Sequence, residues 1–124
     1  MRILELITFI RERVESVYYP NSFPTTSRDD CVMVRLTSGF PTSQWTGKSQ
    51  PSFQIQVRDA RHKTGDCEAK AYEIHKALTN LREVTIGESS VVLIRSMNSV
   101  PVYIGNDDQE RPIYSMNFDC VVRP

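Results

Sequence analysis

Ser52-Phe-Gln-Ile-Gln-Val-Arg58 and Cys67-Glu-Ala-Lys-Ala-Tyr-Glu-Ile-His-Lys-Ala-Leu-Thr-Asn-Leu81, joined by a short polar link, decide how this chain folds. In the first, apolar and polar residues alternate, the period of a half-buried strand. In the second, Cys67, Ala71, Ile74, Leu78 and Leu81 recur in steps of four, three, four and three. That spacing places all five on one helical face, with Glu68, Lys70, Glu73, Lys76 and Arg82 facing solvent. A one-sided strand therefore feeds a one-sided helix, and both require the same core.

Working outward toward the N-terminus, Ile3, Leu6, Ile7, Ile10, Val14 and Val17 predict an amphipathic helix from Ile3 to Val17. Pro20 and Asn21 end it. Phe23 to Asp30 reads as a linker, and Cys31-Val-Met-Val-Arg-Leu-Thr37 as a strand that is apolar on nearly both faces, which suits a central position. Between Ser38 and Pro51 the chain is polar and punctuated by Gly39, Pro41 and Gly47, an extended loop that carries the sole tryptophan, Trp45.

Toward the C-terminus, Val84-Thr-Ile-Gly87 reads as a turn into the strand Val91–Ser96, and Val102-Tyr-Ile-Gly105 as a short apolar patch. Asn106 to Pro112 is turn chemistry. The last strand sets Tyr114, Met116, Phe118, Cys120 and Val122 on one face against Ser115, Asn117 and Asp119 on the other. The expected architecture is a single α+β domain spanning 1–124. A mostly antiparallel sheet of about four strands carries two helices on one face. The opposite face, with Gln54, Gln56, Arg58, Ser115, Asn117 and Asp119, is polar.

Composition narrows the function. With 124 residues, 40% of them hydrophobic, the chain can bury a sizeable core. Fifteen Lys+Arg balance fifteen Asp+Glu, a neutrality that disfavours strong nucleic-acid or acidic-membrane binding. Cys31, Cys67 and Cys120 are odd in number and lie in apolar-patterned segments, as buried thiols of a reducing compartment do. The mixed charges after Arg2 argue against a signal peptide, and no apolar run reaches membrane-span length; folding in a cytoplasm is the expectation.

No catalytic, metal or cofactor site is legible. Asp59, Glu68 and Lys70 resemble a nuclease D…E-x-K string, but on a helix Glu68 and Lys70 point about 200° apart. His62 and His75 lack the paired spacing of zinc ligands. Cys67 lies on the buried stripe, where a thiol is inert. Asp107, Asp108 and Glu110 lack the alternating ligands and central glycine of a calcium loop.

Taken together, several stretches resemble one family. They are Pro51–Arg58, the helix with Ala71, Tyr72, Ile74, Ala77 and Leu78, the Ile86-Gly87 pair, Pro101-Val-Tyr-Ile-Gly-Asn-Asp-Asp108 and Tyr114–Asp119. In order and spacing they are similar to the phage minor capsid proteins of the tail-terminator type, found in long-tailed bacteriophages. The resemblance runs from Pro51 to Val122, with an N-terminal helix of the expected kind. It implies a non-enzymatic virion protein that forms a homo-hexameric ring. That ring caps the tail tube, ends its growth and offers a docking surface for a head-completion or connector protein. DNA would pass through without sequence-specific binding, and assembly would occur in the host cytoplasm. Trp45, Arg58, Asp107, Asp108, Asn117 and Asp119 are the candidate interface residues, with the Trp45 loop assigned to the tube. Another phage neck or minor capsid protein, or a non-viral module dimerising through its first helix, remains an alternative.

Overall fold

A computed structural model describes all residues, 1–124. In chain order the elements are α1 (Ile3–Arg13), β1 (Tyr18–Pro20), β2 (Cys31–Leu36), β3 (Ser52–Arg58), α2 (Thr64–Leu78), β4 (Leu81–Ile86), β5 (Ser89–Ser96), β6 (Val102–Asn106) and β7 (Pro112–Val122). The seven strands form one sheet in the order β1-β2-β3-β7-β5-β4, with β6 alongside β7. The α+β class stands, but the sheet is larger than about four strands and is mixed, since β1 pairs with β2 in parallel.

Alternation along β3 and β7 builds the centre. Phe53 lies opposite Phe118, Ile55 opposite Met116 and Val57 opposite Tyr114, so these six side chains fall on one face. Cys67, Ala71, Ile74 and Leu78 of α2 and Leu6, Ile7, Phe9 and Ile10 of α1 join them in one continuous core. Helix α1 touches β1 and β2 at one margin of the sheet and β4 near the other, so the sheet curls around its helices.

Four boundaries differ from the periodicity reading, each for a local reason. Helix α1 stops at Arg13, because the chain turns extended at Val14 (φ −135°) to deliver Tyr18–Pro20 to β2. Val14 stays buried nonetheless, and its carbonyl accepts a 2.6 Å hydrogen bond from the Tyr18 hydroxyl. Helix α2 stops at Leu78, because Asn80 adopts the left-handed conformation (φ 59°) that closes helices. Leu81, although in helical register, therefore opens β4 and pairs with Ile94. The stretch 84–87 is not a turn as a whole: Val84–Ile86 is strand, and only Gly87 (φ 60°) with Glu88 makes the two-residue hairpin connection. The short apolar patch at 102–105 is strand β6, paired with the start of β7.

β5 and β6 lie end to end along the same side of β7. Ser96 pairs with Phe118 and Val102 with Ser115, so residues 97–101 form an excursion from a nearly continuous ladder. His75 of α2 braces this excursion, with Nε2 2.9 Å from both Ser96 Oγ and the Asn98 carbonyl.

Candidate functional site

The sheet face turned away from the helices is polar, but much of it is occupied. Arg58 is buried at 4% exposure. Its guanidinium donates to the carbonyls of Asp29 (3.1 Å) and Arg28 (2.9 Å) and to Ser27 Oγ (2.9 Å), and lies over the Phe23 ring. This fastens the 22–30 segment over the β2–β3 end of the sheet. Asp119 is also buried and accepts two hydrogen bonds from Arg95 of β5, at 3.0 and 2.6 Å. The expectation that both side chains sit on an open polar face is corrected: each is consumed in tying neighbouring segments together. Asn117 remains half-buried between them, and its backbone N–H donates to Asn98 Oδ1.

The acidic turn divides its labour. Asp107 accepts from the Arg111 guanidinium at 2.8 Å and from the backbone N–H groups of Gln109 and Arg111. Burial alone would raise the Asp107 carboxyl, but these hydrogen bonds hold it below the usual carboxylate range. Glu110 pairs with Arg61, and Arg111 also reaches Asp29. Asp108 alone stays unengaged at the tip. Three free cysteines lie buried, and burial pushes the Cys67 and Cys120 thiols up to about 12. Asp59, Glu68 and Lys70 do not converge: Glu68 accepts from the Tyr114 hydroxyl, while Lys70 reaches the Glu15 carbonyl.

What the fold leaves uncovered is apolar and concentrated. Five large exposed hydrophobic side chains, Met97, Val100, Val102, Tyr103 and Ile104, fall in the β5–β6 excursion and on β6. Leu36 ends β2, and Phe40 and Trp45 fall on the connection from β2 to β3, where Trp45 is 87% exposed. That connection is less open than the polar composition of 38–51 suggests. Phe40 bridges to Gln50 and Ser49 to Val122, and Ser43 and Lys48 close a small turn that presents the indole outward. Gly47 (φ 75°) lies against Pro124, where an added Cβ would come within 3.0 Å. The two clusters flank different parts of β7: Val102 lies opposite Ser115, and Ser49, at the base of the Trp45 turn, opposite Val122. Those two points are roughly 24 Å apart at ordinary strand rise, whereas Leu36, across β3, is level with Phe118.

Exposed apolar side chains gathered in two clusters are what the fold leaves without cover, and the sequence itself carries a family likeness. Residues 9–123 match the family described as bacteriophage tail terminator protein. The chain belongs to that family. It is a structural protein of a phage tail, and its place is the virion. No curated protein matches the sequence. Among solved structures, a chain of a particle described as "Virion of native gene transfer agent (GTA) particle" superposes with a TM-score of 0.73. The match covers 98% of this chain and 90% of the other at 12% identity, a likeness of fold. No helix is long and apolar enough to cross a membrane.

For a tail terminator the informative residues were only half visible in sequence. Trp45 stood out as a lone aromatic in a polar run. The β6 cluster did not, because Val102-Tyr-Ile104 is a continuous apolar run of the kind a fully buried strand also shows, and nothing local says that neither face will be covered. The one available signal was the run from Ser96 to Glu110, which carries no Lys or Arg beside its apolar residues.

Proposed function

We propose that this protein closes the end of a phage tail tube as a ring of identical subunits. The ring stops tube growth and presents its free side to a head-completion or connector protein. Six subunits follow from the family resemblance. The observation that supports ring formation is the pair of unlike apolar clusters, one on β6 and one around the Trp45 turn, since closing a ring head to tail requires two different surfaces on each subunit. The role is structural and not enzymatic. Zero net charge is consistent with DNA passing through without tight backbone binding.

Of the six candidate interface residues, Trp45, Asp108 and Asn117 have side chains without an internal hydrogen bond and are assigned to contacts with other subunits or virion proteins. Arg58, Asp107 and Asp119 shape the surfaces from which those contacts are made. The test is tube polymerisation with and without this protein. Tubes of limited length, each ending in a ring seen by electron microscopy, are expected. Uncontrolled lengths with bare ends would overturn the assignment.

A further inference from the structure

Eight of the ten large exposed hydrophobic side chains lie in two short stretches, 36–45 and 97–104. Soluble domains rarely concentrate apolar surface in this way without a partner to cover it. The two stretches also differ in charge. From Ser96 to Glu110 the chain holds Asp107, Asp108 and Glu110 and no cation, whereas from Leu36 to Pro51 it holds Lys48 and no acid. Within the chain Asp107 and Glu110 are neutralised by Arg111 and Arg61, which leaves Asp108 as the free anion at the β6 end. At the other, Lys48, beside Trp45, is exposed and forms no salt bridge, and the same is true of Arg35, next to Leu36.

Backbone chemistry points the same way. β6 pairs with β7 on one side only, so its outer edge offers free N–H and C=O groups beside Val102 and Ile104. Natural edge strands are usually blunted by lysine or proline, and β6 carries neither. At the receiving end, a shallow cavity of about 320 Å³ opens next to the Trp45 loop, lined by Met1, Leu36, Ser38, Ser49, Pro51 and Val122.

We propose that the β6 end of one copy (Met97–Ile104, with Asp108) seats on the Trp45 loop of the next copy, with Lys48 facing Asp108 across the joint. The occupant of each cluster is a second copy of this chain, because each cluster finds on the other an apolar surface and a charge of opposite sign. Both clusters are fixed to the same β7, Val102 opposite Ser115 and Ser49 opposite Val122, and cannot turn to meet within one chain, so the contact is intermolecular and heterologous. This rests on the ring reading and assigns its two faces.

The experiment uses the full chain and two variants at exposed positions, Ile104→Asp and Trp45→Ala, whose thermal midpoints, unchanged from wild type at low protein concentration, establish that both fold. Sedimentation velocity should show each variant self-associating at least tenfold more weakly than wild type. Mixing them should restore a one-to-one dimer that neither forms alone, because one intact joint survives in the mixture. Zero-length carbodiimide cross-linking of mixed isotope-labelled chains should give a Lys48–Asp108 link between copies, in solution or on tail tubes. Normal self-association of both variants, no dimer on mixing, or rings on tubes that lack that link would each overturn the proposal. Tubes capped normally by both variants would sink this joint and leave the terminator reading standing. A confirmed joint with uncapped tubes would do the reverse. Loss of tube binding by Trp45→Ala with self-association intact would assign the loop to the tube and reject a second copy as its occupant.

Discussion

The middle of β7 and the strand beside its first half are built from similar residues and meet opposite fates. Between Tyr114 and Cys120, every apolar side chain of β7 is covered by α2 or its strand neighbours, and Phe118 stacks on Phe53 with ring centroids 5.3 Å apart. On β6, Val102, Tyr103 and Ile104 are all exposed, although Tyr103 still leans on Tyr114 at 5.5 Å. Both are rich in apolar residues, although β7 alternates them with polar ones and Val102–Ile104 is a continuous apolar run. The difference is supply: two helices are enough to cover β3, the C-terminal two-thirds of β7, and β5, and none remains for β6. Burial of one strand thus stabilises the monomer, and exposure of the other is left for assembly.

The largest effect that can break this contrast comes from the covered strand. Phe118→Ala should destabilise the fold by about 3–5 kcal/mol, a large part of the total stability of a domain this size. The milder Phe118→Leu should cost about 1 kcal/mol. Urea unfolding of both variants measures the ratio. A loss no larger than that of a surface substitution would mean that the β3–β7 centre is not the core.

Next comes Arg58, which holds the 22–30 segment onto the sheet. Arg58→Ala strands two backbone carbonyls and Ser27 and should cost about 2 kcal/mol. Unlike the core change, it should also open one place selectively, so limited proteolysis is expected to nick the chain between 22 and 30 first. Cleavage elsewhere, or none, would show that the segment is held by something other than this guanidinium.

Asp107 gives a smaller, pH-dependent effect. Its carboxyl is depressed when folded, so it adds stability above its unfolded value, near 3.9, and loses it as pH falls through the lower folded value. Asp107→Asn should therefore lower the thermal midpoint above about pH 4, and the two curves should converge in stronger acid. Parallel curves across that range would mean that the Arg111 contact contributes nothing to holding the β6–β7 turn.

The same contrast marks how far the sequence could be read. The strand–helix unit from Ser52 to Leu78 was legible because its periods, two and then 3.6, persist long enough to exclude alternatives. β1, with three residues, carries no period at all and exists only because β2 is beside it. β4 was masked by Leu81, which continues the helical stripe until Asn80 turns the backbone. Arg58 and Asp119 looked like surface charges because alternation assigns a face, not an exposure. Whether a face is wet depends on where remote loops and Arg95 come to rest. The family resemblance read from Pro51 to Val122 did reach the right family, which residue-level chemistry alone could not have named.

The smallest expected effect is the sharpest test of the difference between the two strands. If β6 is exposed in the monomer because nothing in the chain is meant to cover it, Ile104→Thr should shift folding stability by no more than about 0.5 kcal/mol. The same change on the covered strand, Met116→Thr, should cost about 2–4 kcal/mol, since it removes buried apolar volume and buries a hydroxyl. Both substitutions place threonine, a good strand former, in one sheet, so backbone propensity is held nearly constant. The comparison must be made at low protein concentration, where association adds nothing to the folded state. As concentration rises, the midpoint of wild type should climb away from that of Ile104→Thr, because a contact made only by folded chains stabilises them by mass action. Curves that stay superimposed at every concentration would leave β6 as exposed surface without a use.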